Sequence, residues 1–482
     1  MLSFFVFLLA LFSCFFINSK SFLILSAIIS FIYLIITIFN YFLYIYTGNF
    51  LTLGTINLML LAIDGAPFME FLDVIVLILL SIIAGVLFCV LFYFRMIKNI
   101  ANKNMAKICY FAFILLAFIL NPLAKAGYDI FTVLNPQYNK HFVSILQKSI
   151  ITPKPKPATK NKNIVYIYLE SFSRNYLIKF PNLTPKINSL TNKIDFVNIS
   201  QADGTVVTIE GLFGSQCGLP LFYYSYKKDG EGNRKFPKNI KCSSQILKEQ
   251  GYYTYFIKGA DLEFEKTRDF LNSRAYDEQK GKTELLKQQN FLLNEWGVND
   301  DDMFDIAFSD FIRLSETKDK FLQVVLTVGT HVPNGFISKK CQNLVYEDEK
   351  NAMLNAVKCT DFLLYDFIDK IRKSKFGKNT IIVVQNDHLA PYGLIKGIDE
   401  KKLSDSNNLF FILDDDIDGV QIVENKGSSL DTFTTLLGYI GILDEMHFGR
   451  NILKIKSLHE TLKNPNQIYQ ISMPLIPNLS DK

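Results

Sequence analysis

The stretch NTIIVVQNDH, residues 379–388, decides the fold because an apolar run changes abruptly into polar side chains. Its four consecutive apolar β-branched residues, IIVV at 381–384, are typical of a strand that is buried on both faces. NIVYIYLES at 163–171 and KFLQVVLTVGTH at 320–331 end in the same manner. Amphipathic helical patterns, such as the one over 349–374, separate runs of this kind. The alternation predicts an α/β domain with a largely parallel sheet, to which GYYTYFI at 251–257 also contributes a strand.

Side chains that can bind a metal ion or transfer a proton follow three of these strands: Glu170, His331, Asp387 and His388. Ligands of open α/β sheets bind beyond the carboxyl ends of the strands, so we expect these side chains to share one site. Carboxylates and imidazoles are common ligands of zinc and manganese. Glu170, Asp387 and His388 are therefore predicted ligands of a divalent cation. His331 is a candidate proton donor to a leaving alkoxide, or a phosphate-binding group.

The segment GTVVTIEGLFGSQCGLP, residues 204–220, supplies the candidate nucleophile and fourth metal ligand. Coordination to a divalent cation lowers the pKa of a threonine hydroxyl and positions its oxygen. A helix that begins here would also present backbone N–H groups to a phosphoryl oxygen. We assign the role to Thr208, although the sequence alone does not distinguish it from Thr205. Either threonine could instead cap a helix.

The N-terminal part of the chain is apolar enough to enter a membrane, since about 20 apolar residues cross a bilayer as a helix. Four such stretches are predicted spans: 2–18, 21–46, 72–95 and 107–124. Lys20 and the basic cluster between the last two spans indicate cytoplasmic loops. The chain after about residue 125 is then extracytoplasmic. A fifth span at 50–63 would move the N-terminus inside but leave the large domain outside.

This division predicts three regions: a transmembrane domain over 1–127, a connecting helix and Lys/Pro linker over 128–163, and an extracytoplasmic catalytic domain over 164–482. Fifty-one basic and 46 acidic residues nearly balance, so the net charge of +5 gives no reason to expect nucleic acid as a partner.

Four of the seven cysteines lie in the large domain, and an oxidising compartment permits them to form two disulfides. Proximity in sequence favours Cys217 with Cys242 and Cys341 with Cys359. The alternative is four buried free thiols.

Taken together, YLESF at 168–172, the Thr208 segment, THVPNG at 330–335 and QNDH at 385–388 resemble the lipoteichoic acid synthase and phosphoglycerol transferase family. That family belongs to the alkaline phosphatase and sulfatase superfamily. The resemblance covers roughly 160–455, and TIEGLFGSQCGLPLF is most similar to the osmoregulated-glucan phosphoglycerol transferases.

The resemblance implies a sulfatase-like fold in which Glu170, Thr208, Asp387 and His388 hold one divalent metal ion, manganese or zinc, with magnesium a further option. It implies that Thr208 becomes phosphorylated and that His331 contacts the substrate. The donor would be a phospholipid, with phosphatidylglycerol as the favoured one, and the acceptor would be a glycan or a lipid. The implied location is the bacterial inner membrane, with a multi-pass anchor and a periplasmic catalytic domain.

Two positions depart from the family pattern. Lys258 stands where lipoteichoic acid synthases have a histidine, and it can still bind phosphate as a point charge. Arg268 in FEKTR matches the family's arginine only with a one-residue shift. Both are nevertheless expected to bind substrate.

Other functions remain open from the sequence. A phosphoethanolamine transferase that acts on lipid A or a surface glycan would use the same chemistry. Its usual Ser-x-Pro-Cys pattern is replaced here by GSQC. A sulfatase or phosphodiesterase and a non-catalytic membrane scaffold are the remaining alternatives.

Overall fold

The computed structural model describes residues 2–17, 19–47, 104–134, 140–222, 240–347, 350–395 and 397–472, with the single residues 51, 76, 79, 80, 83 and 236. The chain divides into two compact units, residues 1–135 and 136–482. The predicted spans at 72–95 and 50–63 lie almost wholly outside the described residues.

The described part of the first unit consists of helices: α1 (Leu2–Ser13), α2 (Lys20–Thr47), α3 (Asn104–Leu120) and α4 (Pro122–Leu134). Within α2, Ser21–Tyr44 is long and apolar enough to cross a membrane. Asn104–Leu120 and Pro122–Tyr128 would make a second candidate if this pair, bent by 63°, is one span. α1 has only 12 residues, fewer than a span requires. The described helices therefore supply one or two candidate spans, and the multi-pass topology stays a prediction.

Two buried tyrosines hold these helices together. The Tyr33 ring stacks on Phe7 at 4.4 Å between centroids, and its hydroxyl lies 2.5 Å from the Ser3 hydroxyl. Tyr110 of α3 donates a hydrogen bond to the Ser26 carbonyl of α2. Many large apolar side chains on the outer faces, such as Ile108, are exposed. Polar atoms inside and apolar side chains outside are the arrangement expected of helices in lipid.

The second unit carries an α/β sandwich. Its helices are α5 (Lys140–Ser149), α6 (Asn175–Ile178), α7 (Pro185–Asn188), α8 (Thr208–Cys217), α9 (Ser243–Glu249), α10 (Thr267–Ser273), α11 (Lys282–Leu286), α12 (Asp300–Thr317), α13 (Ala352–Lys373), α14 (Glu400–Leu403), α15 (Thr432–Tyr439), α16 (Leu458–Thr461) and α17 (Pro465–Ser472). Its strands are β1 (Asn163–Leu169), β2 (Lys193–Phe196), β3 (Ile199–Ser200), β4 (Tyr253–Lys258), β5 (Glu278–Lys280), β6 (Phe321–Leu326), β7 (Thr380–Asn386), β8 (Phe410–Leu413), β9 (Val420–Val423), β10 (Gly427–Ser428), β11 (Glu445–Met446) and β12 (Gly449–Arg450).

Eight strands form the main sheet in the order β5-β4-β6-β1-β7-β8-β2-β9. Its strand pairs are parallel, except that β8 runs antiparallel to both β7 and β2. This confirms the predicted α/β fold with a largely parallel sheet. In the register, Leu169 at the end of β1 pairs with Asn386, and Tyr168 pairs with Leu326 of β6. The three strands that end in the predicted site residues therefore end side by side.

Both faces of the sheet are covered. Ile164, Tyr166 and Tyr168 of β1 pack into one core with side chains of α8, α9 and α15. The alternate residues Val165 and Ile167 pack into the other core with α12 and α13. Burial on both faces explains why these strands are apolar at nearly every position.

The Lys/Pro segment is extended and runs along the second unit. Lys156 N donates to the Ile442 carbonyl at 2.8 Å, and Thr159 N donates to the Ile440 carbonyl at 2.9 Å. In the structure the boundary between the units lies instead at 135/136, before this segment. The functional division into 1–127, 128–163 and 164–482 stays a prediction.

The two predicted disulfides are confirmed. Cys217 at the end of α8 is bonded to Cys242, immediately before α9. Cys341 is bonded to Cys359 of α13.

Candidate active site

Glu170 directly follows β1 and is held there through its backbone. Its N–H donates to the Thr327 hydroxyl at 3.0 Å, and its carbonyl accepts from the Thr330 hydroxyl. Ser171 then turns the chain with a left-handed φ of 47°. Its hydroxyl donates to Glu170 Oε1 at 2.7 Å. The buried Glu170 carboxylate is thereby fixed at the carboxyl edge of the sheet.

Asp387 and His388 follow β7, the neighbour of β1. Asp387 Oδ1 accepts hydrogen bonds from the backbone N–H groups of Ser171 (2.9 Å) and His388 (2.7 Å). Asp387 Oδ2 is buried and, among the described residues, has no hydrogen-bond partner. The His388 ring places Nδ1 3.0 Å from the Leu389 carbonyl, which leaves Nε2 facing Glu170 Oε1 at 3.4 Å and Asp387 Oδ2 at 3.6 Å.

Thr208 is the first residue of α8, and its hydroxyl donates to Glu170 Oε2 at 3.1 Å. The hydroxyl of Thr205 instead donates to the Ala202 carbonyl and lies 2.7 Å from the Ser429 hydroxyl. The structure therefore brings Thr208 to the carboxylates and gives Thr205 other partners. Gly211 permits this approach, because a Cβ atom at that position would lie 2.1 Å from the Asp387 carbonyl oxygen.

These groups have the composition of a divalent-cation site. Three residues, Glu170, Asp387 and His388, each offer one ligand atom, and these three atoms lie within 4.8 Å of one another. All three residues are buried. Burial and the neighbouring Glu170 charge raise the pKa of Asp387 well above its usual value. Burial opposes the charging of His388, but Asp387 and Glu170 outweigh it and raise its pKa to about 10. Two buried carboxylates and an imidazole nitrogen converge here, and one carboxylate oxygen has no hydrogen-bond partner among the described residues, so the residues present fit a divalent metal ion.

His331 lies on the loop after β6. Its Nδ1 is 2.7 Å from the Val332 carbonyl, and its ring contacts that of Trp296 at 4.0 Å between centroids. Burial lowers the pKa of His331, against the attraction of the Glu170 charge. The ring is therefore neutral near pH 7 and able to accept a proton.

Three consecutive residues at the start of α12 fix the loops around this histidine. Asn299 donates to the Leu292 carbonyl at 2.9 Å. Asp300 accepts from the N–H groups of Val328 and Gly329, both at 2.8 Å. Asp301 accepts from the N–H of Lys340 at 3.1 Å. We call the segments 291–298, 327–331 and 336–340 the mouth loops.

The two predicted substrate-binding cations have different surroundings. Lys258 at the end of β4 is buried and donates to the Thr267 hydroxyl at 2.8 Å. Burial lowers its pKa to about 8, although the charges of Glu265 and Glu170 act in the opposite direction. Arg268 forms ion pairs with Glu263 and, at 2.8 Å, with Glu284. The structure thus gives Lys258 an electrostatic link to the metal-ligand group, and the substrate role of Arg268 stays a prediction.

Glu265 and Trp296 also belong to this region, and neither was predicted from the sequence. Glu265 Oε2 accepts a hydrogen bond at 2.9 Å from the N–H of Ile209, the residue after Thr208. Its backbone is left-handed, with φ 52°. Trp296 lies between His331 and Phe264, whose ring centroid is 5.0 Å away. Neither residue ends a strand, which was the signal that identified Glu170, His331, Asp387 and His388.

Comparisons with known proteins identify the family of the chain. The sulfatase family model matches residues 162–442. Phosphoglycerol transferase I from Salmonella choleraesuis is 38% identical over 320 residues, which are 65% of this chain and 41% of that protein. The chain therefore matches about two fifths of the length of this curated relative.

Two solved structures share the fold. A protein in the alkaline phosphatase superfamily from Vibrio parahaemolyticus aligns with a TM-score of 0.52 and 24% identity, over 66% of this chain and 79% of that one. A lipoteichoic acid synthase from Listeria monocytogenes aligns with a TM-score of 0.50 and 19% identity, over 64% and 80%.

Proposed function

Because the chain belongs to the sulfatase family, we propose that it transfers a phosphoglycerol head group from phosphatidylglycerol to an extracytoplasmic glycan or related acceptor, through a phosphothreonine at Thr208. The observation that carries the proposal is the 3.1 Å hydrogen bond between the Thr208 hydroxyl and Glu170, within the group that fits a divalent cation. The 38% identity to phosphoglycerol transferase I supports the choice of head group.

In the first half-reaction the Thr208 hydroxyl releases its proton to solvent and its oxygen bonds to phosphorus, while the bond from phosphorus to the diacylglycerol oxygen breaks. Glu170, Asp387, His388 and Thr208 would hold the cation. When bound, a divalent cation lowers the pKa of an alcohol and offsets charge on phosphoryl oxygens. Glu170 aligns the hydroxyl by accepting its hydrogen bond, and Lys258 offsets further negative charge.

In the second half-reaction an acceptor hydroxyl attacks the phosphothreonine, the bond from phosphorus to the Thr208 oxygen breaks, and that oxygen takes up a proton from solvent. His331 is the group on the mouth loops that is able to take the acceptor's proton, since burial keeps its ring neutral at rest. The protonated His331 that this step leaves would supply the proton to the departing diacylglycerol oxygen in the next first half-reaction.

The test is the identity of the covalent adduct. The full-length protein in lipid nanodiscs is incubated with phosphatidylglycerol that is radiolabelled in the head-group glycerol, and intact mass and peptide mapping follow. We expect a phosphoglycerol adduct on Thr208, and no adduct in Thr208→Ala. Thr205→Ala is the matched control and should still form the adduct. A label on Thr205 or no label at all in the metal-loaded protein would refute the proposal.

Phosphoethanolamine transfer is the second candidate, and Glu265 is the observation in its favour. A half-buried carboxylate that contacts the residue after Thr208 could hold an ammonium group. A parallel incubation with phosphatidylethanolamine labelled in the ethanolamine separates the two. Ethanolamine on Thr208 would replace the first choice of head group while retaining the reaction type.

A further inference from the structure

Exposed apolar side chains are concentrated on the mouth loops. Among the described residues of the second unit, six large apolar side chains are exposed: Ile178, Leu292, Leu293, Ile337, Val420 and Ile422. Three of them, Leu292, Leu293 and Ile337, lie on the mouth loops, and Leu292 is 68% exposed. Exposed apolar groups that gather beside a site mark a surface that another apolar partner covers.

The loops that carry these three side chains are held by hydrogen bonds. Leu292 is anchored through its carbonyl to Asn299, and Leu293 pairs through its backbone with Val298. Ile337 precedes Ser338, whose hydroxyl accepts from the N–H of Asp301 at 3.4 Å. The two loops are thus hydrogen-bonded to Asn299 and Asp301, at the start of α12. We call Leu292, Leu293 and Ile337 the apolar rim.

The loop that carries the two leucines reaches the candidate site. Trp296 follows Leu292 and Leu293 on the same loop, and its ring contacts His331. Exposed Lys287 precedes the first mouth loop and exposed Lys339 follows Ile337, while one exposed carboxylate, Glu295, lies between the leucines and Trp296. Apolar side chains and a tryptophan with more lysines than carboxylates nearby are typical of protein surfaces that rest on anionic lipid at headgroup depth.

We propose that the apolar rim docks on the surface of an anionic lipid bilayer, so that the head group of a donor lipid enters the site past Trp296 and His331. The donor lipid is taken from the proposed function, on which this inference rests. A lipid whose phosphodiester is to reach Thr208 keeps its acyl chains in the bilayer, so the rim then lies against the bilayer surface. Apolar side chains favour this contact, because it removes their surface from water.

Trp296 is the only tryptophan of the chain, so its fluorescence reports on the mouth loops alone. The full-length protein is placed in phosphatidylglycerol-containing nanodiscs, with either ordinary lipids or lipids brominated on the acyl chains near the headgroup. With excitation selective for tryptophan, we expect bromine to remove on the order of half of the emission, as for an indole at the headgroup boundary. Equal emission in the two kinds of nanodisc would overturn the proposal.

A kinetic experiment tests the rim itself. Leu292→Ser with Leu293→Ser should raise the apparent KM for bilayer phosphatidylglycerol by about 10-fold, because two apolar contacts are lost. The same variant should process a water-soluble short-chain donor with an unchanged kcat/KM. Ile178→Ser is the matched control, since Ile178 is 65% exposed but not on the mouth loops, and it should behave as wild type.

Equal losses for the soluble and the bilayer donor would overturn the proposal, as would a Trp296 emission that responds to a soluble glycan and not to brominated lipid. Quenching does not require turnover. A protein that is quenched but transfers no head group would therefore refute the proposed function and leave the membrane contact standing.

Discussion

Gly211→Ala tests whether close packing of α8 on the metal-ligand group is needed for activity. The new Cβ atom would lie 2.1 Å from the Asp387 carbonyl oxygen, whereas ordinary contacts between nonbonded heavy atoms begin at about 3.5 Å. The helix must therefore retreat by about 1 Å. The Thr208 hydroxyl, now 3.1 Å from Glu170, would move out of hydrogen-bond range.

We expect the rate of adduct formation on Thr208 to fall by about 10²-fold, the loss that a misplacement of about 1 Å can cause. The strain costs about 1–3 kcal/mol of folding free energy, which the better helix propensity of alanine offsets by about 1 kcal/mol. The assay is the initial rate of labelling from radiolabelled phosphatidylglycerol, with the melting temperature and metal content measured on the same sample.

Gly214→Ala is the matched control on the same helix. Its Cβ atom would meet the Cγ2 atom of Thr205 at 2.5 Å, on a side chain with partners outside the metal-ligand group. We expect a comparable change in stability and a labelling rate within a few-fold of wild type. A wild-type rate in Gly211→Ala, or an equal loss in Gly214→Ala, would refute the reasoning.

Three further predictions concern other parts of the second unit. His331→Ala should slow transfer by about 10²–10⁴-fold with unchanged metal content, measured by elemental analysis, and loss of metal would instead identify a ligand. Asp300→Asn should cost about 1–3 kcal/mol in urea unfolding and slow transfer, because the two N–H groups of the loop that carries His331 face different carboxylate oxygens and an amide replaces one of these with an NH2 donor. An unchanged unfolding midpoint would contradict that account. Cys217→Ser with Cys242→Ser should remove about 2–4 kcal/mol, since the disulfide closes a loop of 25 residues, and reduced wild type should show the same loss in urea unfolding.

The ends of the apolar strands determine much of the site, and they are visible in the amino-acid sequence alone. A strand that is buried on both faces must be apolar along its length, so the first polar residue marks where it leaves the core. In a parallel sheet these ends meet at one edge, which is why Glu170, Asp387 and His388 could be grouped from sequence. The short sequence separation within each disulfide similarly favoured the observed pairs.

Only the tertiary structure shows which of Thr208 and Thr205 lies against Glu170. The two stand three residues apart in one segment, and the Thr208 hydroxyl contacts Glu170 while that of Thr205 lies beside Ser429, a residue far away in the chain. The same holds for Glu265, for the ion pairs of Arg268 and for the apolar rim, whose members are exposed because of how their loops fold. Contacts between segments far apart in the chain depend on packing and leave no periodic signal in either segment. The sequence therefore determined which residues end the strands, and the fold decided which other groups meet them.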